Sequence, residues 1–95
     1  MKKGYITLEN NNYELIRNYK DAFYEEEVRA RYTDYFQDYD YIFGDYSYDK
    51  LRLKGFYDKK KRKANAINSI ERLDSYILEY CSYECRYFLL KLVKK

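Results

Sequence analysis

A chain of 95 residues has room for one hydrophobic core and no second, and 46% apolar against 37% charged residues is the balance of a globular protein. No apolar run approaches the roughly 18 residues of a membrane helix, and the lysines of the first four residues lead into no apolar signal core, so the sequence predicts a cytoplasmic protein without membrane contact. The formal charge of +3 hides a segregation: Lys20 to Asp49 carries 3 basic and 9 acidic residues, a balance of −6, and Lys50 to Lys63 carries 8 basic residues against Asp58 alone, a balance of +7.

Tyr5 to Glu9 and Tyr13 to Tyr19 are rich in β-formers and flank Asn10, Asn11 and Asn12, which predicts a hairpin with a three-residue loop. The two-residue pleat puts Ile6 and Leu8 on one side of the first strand, and Tyr13, Leu15 and Tyr19 on one side of the second. Tyr24, Val28, Tyr32, Tyr35 and Phe36 then recur at helical spacing. They predict a single helix capped by Asp21, with Glu25, Glu26 and Glu27 favoured by the helix dipole and Glu25/Arg29 and Glu27/Arg31 paired on a solvated face.

Tyr41 to Tyr46 and Lys50 to Tyr57 predict a second strand pair joined through Ser47 to Asp49, with Leu51 and Leu53 on one side and Lys50, Arg52 and Lys54 on the other. Gly44 and Gly55 interrupt these β-prone runs, as a bulge or a close backbone approach requires. Asp58 to Asn68 is polar and basic and reads as an exposed loop. Ile70, Leu73, Ile77 and Cys81 predict a second helix, and Cys85 to Val93, apolar on both faces around Leu89 and Leu90, a strand inside the sheet. The expected fold is one α+β domain over residues 1–95, a small mostly antiparallel sheet of about five strands with two helices in the order ββαββαβ.

Several spaced patches resemble one known bacterial family. They are Arg31-Tyr32, Tyr39-Asp40-Tyr41-Ile42 with Gly44-Asp45, Leu51-Arg52-Leu53-Lys54-Gly55-Phe56, Leu73-Asp74 with Tyr76, Glu79-Tyr80-Cys81, and Cys85. The chain resembles the YutD-like family from about Tyr13 to Lys91. That resemblance implies a small bacterial cytosolic protein with a shared fold and no established reaction. Similar sequences commonly carry Trp and then Gly after Gly-Asp, where this chain has Tyr46 and Ser47, and many carry a polar C-terminal extension that this chain lacks.

The chain has no histidine, which removes the commonest general base and neutral metal ligand, so no Ser-His-Asp or Cys-His arrangement can form. Asp40 and Asp45 are the one candidate carboxylate pair, competing with ordinary duties of short acids at strand ends. Cys81 and Cys85 supply two of the four ligands a structural zinc needs, so only a symmetric dimer sharing one ion could complete a site; two core thiols, reduced in a cytosolic chain, are the simpler account. No catalytic residue, metal site or cofactor is therefore assigned, and the oligomeric state is not fixed by the sequence.

The basic segment carries the strongest functional signal. Arg52 and Lys54 lie on the outward strand face, Lys59, Lys60, Lys61, Arg62 and Lys63 form five consecutive cations, and Tyr46 and Tyr48 are near in sequence. Cations that neutralise phosphate beside rings that stack on unpaired bases predict a non-enzymatic nucleic-acid-binding module, with single-stranded or looped RNA favoured over duplex DNA. The alternative is a protein-interaction adapter that uses the same charged, tyrosine-rich surface. A lysine-rich loop that serves solubility, and tyrosine abundance that follows codon composition, account for the same residues without any function.

Overall fold

The computed structural model describes residues 4–47, 49–58, 69–80 and 85–93. Five strands form one antiparallel sheet: β1 (Tyr5–Leu8), β2 (Asn11–Tyr19), β3 (Tyr41–Ser47), β4 (Lys50–Phe56) and β5 (Tyr87–Val93), in the spatial order β1-β2-β5-β3-β4. Two helices, α1 (Glu25–Arg31) and α2 (Leu73–Tyr80), complete the expected order ββαββαβ. β5 sits between β2 and β3, as its two apolar faces predict.

The strand faces sort the core into two. On one face Ile6, Leu8, Tyr13, Ile42, Leu51, Phe88 and Leu90 pack with Ala22, Val28, Tyr32 and Phe36 from the α1 region. On the other, Phe43, Phe56 and Leu89 pack with Leu73 and the half-buried Ile70, Tyr76 and Ile77 of the α2 region. Each such side chain removed from water contributes about 1.5–3 kcal/mol against the entropy of ordering the chain.

Several local expectations are corrected. The first hairpin closes at Leu8↔Asn11, so its loop is Glu9 and Asn10, and Glu9 takes the left-handed φ of 56°. Asn11 and Asn12 belong to β2 because their side chains find partners in extended geometry: Thr7 Oγ1 donates to Asn12 Oδ1 at 2.6 Å, and Asn11 Nδ2 donates to the Gln37 carbonyl at 3.1 Å. A register shift between Leu15 and Arg17 breaks the alternation of β2. Tyr19 therefore leaves the side of Tyr13 and Leu15 and stacks on Tyr87 of the opposite face, ring centroids 4.9 Å apart.

The single first helix is also two pieces. Asp21 is left-handed (φ 53°) in the preceding turn, which Asn18 Oδ1 fixes by accepting from the Phe23 amide at 3.0 Å, and Tyr24 precedes the helix without a side-chain cap. α1 ends where Tyr32 and Thr33 become extended, and Asp34–Phe36 forms a separate 3-10 turn. The break seats the Tyr32 hydroxyl 2.8 Å from that of the fully buried Tyr13, so two phenols enter the core with their oxygens satisfied. The second helix begins as a 3-10 turn, Ile70–Arg72, which Ser69 caps by accepting from the Glu71 amide.

Candidate functional site

Register decides which predicted site residues can share a surface. Tyr46 stands opposite Leu51, and Asp45 opposite Arg52, so Tyr46 faces the α1 side while Arg52 and Lys54 face the α2 side. Tyr46 and the two cations do not form one surface. Arg52 is held by Asp45 in a two-pronged contact, Nη2 to Oδ2 at 2.6 Å and Nε to Oδ1 at 3.1 Å. Asp45 is 1% exposed, and its hydrogen bond raises the Arg52 pKa further above its ordinary value. Lys54 Nζ lies over the rings of Phe56 and Tyr76, 5.2 and 5.6 Å from their centroids. Tyr48 and residues 59–63, which hold the rest of the predicted basic and stacking set, lie outside the described residues.

Tyr46 is engaged on its own side. The Arg86 guanidinium lies 4.4 Å from its ring centroid and 6.0 Å from that of Tyr24, the two rings meet edge to face, and the Tyr46 hydroxyl donates to Glu27 Oε2 at 2.8 Å. Burial first, and the Glu27 contact second, push the Tyr46 phenol up to about 12. Arg86 carries no sequence signal for this role, since only the tertiary fold brings β5's approach to α1. A second tyrosine group joins Tyr35, Tyr39 and Tyr57: the Tyr35 and Tyr39 hydroxyls are 3.0 Å apart, and Tyr39 stacks on Tyr57 at 4.6 Å. The Tyr35 bond, reinforced by burial, raises Tyr39 to about 12.

The two glycines of the family pattern are seats for rings. The β3–β4 ladder runs through both without a bulge. A side chain at Gly44 would put its Cβ 2.8 Å from Phe88 Cε1 and closer still to Cζ and Cε2, and one at Gly55 would strike the Tyr39 ring. Leu51 and Phe56 are buried, one in each core. Asp40 and Asp45 are not brought together: Asp40 immediately precedes β3 and Asp45 lies within it, and Asp40 stitches strand ends, its Oδ2 accepting from the Asp58 amide at 2.8 Å and its carbonyl from the Leu92 amide.

Cys85 is buried and its sulfur is in a disulfide, which corrects the expectation of a reduced thiol there and removes the thiolate that a shared zinc site would use. Cys81 lies outside the described residues, as does the Tyr80 side chain. Among the described residues no three His, Cys, Asp or Glu side chains cluster as metal ligands do, and no helix is long and apolar enough to cross a membrane.

The sheet's two outer edges differ. β4 presents Lys50, Arg52 and Lys54, whereas β1 reads Tyr-Ile-Thr-Leu and carries neither charge nor proline. α1 lies against β4. On the β1 side a crevice of about 290 Å³ opens, lined by Tyr5, Ile6, Thr7, Asn12 and Val93 and walled by Glu25 and Arg29.

Comparison with known proteins fits this fold and composition. The sequence matches the family described as "Putative antitoxin YutD-like" over residues 7–91. It is similar to "Putative antitoxin YutD" of Bacillus subtilis (strain 168), 49% identical over 90 residues that span 95% of this chain and 99% of that protein. Its fold matches the solution NMR structure of protein yutD from B. subtilis with a TM-score of 0.81 and 47% identity, covering all of this chain and 88% of that one.

Proposed function

The chain belongs to the YutD-like family, and from that premise we propose that it is a non-enzymatic protein-binding module that neutralises a toxic partner protein, in line with the name its B. subtilis relative carries. The proposal rests on what the described surface exposes. Arg52 and Lys54 are engaged within the sheet, while Tyr35 and Leu78 are 66% and 84% exposed, with Tyr5, Tyr24 and Val93 also on the surface. Exposed tyrosine and aliphatic area is what a protein partner covers with gain; phosphate recognition needs free cations. Expressed alone, the protein that the tagged chain retains after ribonuclease treatment is expected to arrest growth, and co-expression of this chain to restore it. Retention of no protein, or an arrest that co-expression leaves unchanged, contradicts the proposal.

We infer RNA binding only as the alternative reading, carried by the five consecutive cations of the sequence at 59–63. Replacing residues 59–63 by Gln would then weaken RNA binding. With six or more phosphate contacts, affinity would fall by about three decades or more between roughly 50 and 200 mM salt.

A further inference from the structure

We propose that the free edge of β1 is the docking strand of this protein: an extended segment of the partner protein adds to the sheet in the crevice between β1 and α1. This deepens the protein-binding proposal above and rests on it for the partner being a protein. The Leu15 amide donates to the Gly4 carbonyl, which fixes the hydrogen-bonding phase of the β1–β2 ladder. Gly4, Ile6 and Leu8 therefore turn their backbone groups towards β2, and Tyr5 and Thr7 turn their N–H and C=O groups outwards. Among the described strands β1 pairs with β2 alone, so no described strand receives these four groups, and Tyr5 and Thr7 line the crevice.

Three features select an extended segment. The opposite edge strand carries three cations, a device that blocks strand addition, and β1 carries none. The crevice is concave, with the β1 edge on one side and α1 on the other. Tyr5 and Val93, 40% and 37% exposed, offer apolar area on one side. On the other, the Glu25–Arg29 ion pair is half-exposed, and such a pair contributes little to stability and can be re-formed with an incoming charge. The segment that fits pairs its backbone with Tyr5 and Thr7, lays an apolar side chain by Tyr5 and sets a carboxylate by Arg29.

The test uses the full chain, isotope-labelled for amide NMR, and a soluble seven-residue peptide of alternating valine and threonine ending in glutamate. Shift changes are expected at Tyr5 to Leu8 and Glu25 to Arg29, with amide exchange at Tyr5 and Thr7 slowed by about tenfold or more at saturation. Thr7→Pro removes an outward donor while leaving the backbone hydrogen bonds of the β1–β2 ladder in place, losing only the exposed Thr7–Asn12 side-chain bond, and should abolish both effects. Thr7→Lys, which adds an edge charge and gives up only the exposed Thr7–Asn12 side-chain hydrogen bond, should do the same if the proline variant does not fold. Shifts absent at millimolar peptide, or centred on β4, overturn the proposal. So does a recovered partner protein whose binding survives both variants, an outcome that leaves the protein-binding proposal standing. Peptide docking on β1 in a chain that retains no protein would instead overturn the protein-binding proposal alone.

Discussion

Replacing Gly44 with alanine tests whether the glycine exists to seat Phe88. The added methyl would lie 2.8 Å from Cε1 and nearer to two other ring atoms, so the ring must retreat by roughly 1.5 Å to restore ordinary contact. Phe88 is fully buried and meets Phe23 edge to face at 5.2 Å, so its retreat is passed on to Phe23 and to the α1 side of the core. Overpacking of this kind costs about 2–3 kcal/mol, and in a domain of this size that lowers Tm by roughly 10–20 °C. Urea and thermal unfolding of Gly44→Ala measure it. Phe88→Leu in the same chain should recover part of the loss, because the smaller side chain leaves room for the methyl. A loss below about 0.5 kcal/mol, or a Phe88→Leu effect that merely adds, would refute the assignment.

The other expectations follow from the same contacts. Gly55→Ala should cost less than Gly44→Ala in the same assay, because the Tyr39 ring it strikes is only half-buried and can swing towards solvent. Arg52→Met should destabilise by about 1–3 kcal/mol by depriving the buried Asp45 carboxylate of its two-pronged partner, and Asp45→Asn by less, since the half-exposed Arg52 regains water. A reversed order would show that the carboxylate does not depend on the guanidinium. For Tyr39 and Tyr46, raised from 10.0 to about 12, folding favours the protonated phenol. Their contribution is complete below pH 10 and is lost as pH rises through about 12. Near-ultraviolet absorbance during alkaline titration should show these phenols ionising late and together with loss of the fold. Ionisation near the ordinary phenol value with the fold intact would contradict it.

The long periodic segments were legible: the apolar β5 in the sheet interior, the Leu51/Leu53 against Arg52/Lys54 alternation, and Ile70, Leu73 and Ile77 of the second helical stripe all rest on repeating patterns that packing confirms. What was not legible depended on single tertiary contacts. The β2 bulge that sends Tyr19 across the sheet is one unpaired residue, invisible to a strict two-residue rule. The break at Tyr32 follows from a hydroxyl pair made with a residue 19 positions earlier. At the candidate site, the basic and aromatic residues stood together in sequence, yet register set Tyr46 and Arg52 on opposite faces. Their partners, Arg86 and Asp45, come from β5's approach and the neighbouring strand. The β1 edge was present as four uncharged residues, but an edge becomes recognisable only when strand order is known.

Under the proposed function a protein, and not RNA, is the partner of this chain. The most direct test is the mass of the complex that the tagged chain retains from its native cell extract, measured by light scattering after ribonuclease treatment, at low salt and again at about 200 mM salt. One chain plus one partner protein at both salt concentrations is the predicted result. A complex that vanishes with ribonuclease, or dissociates steeply as salt rises, would contradict it and return the function to the cations at 59–63.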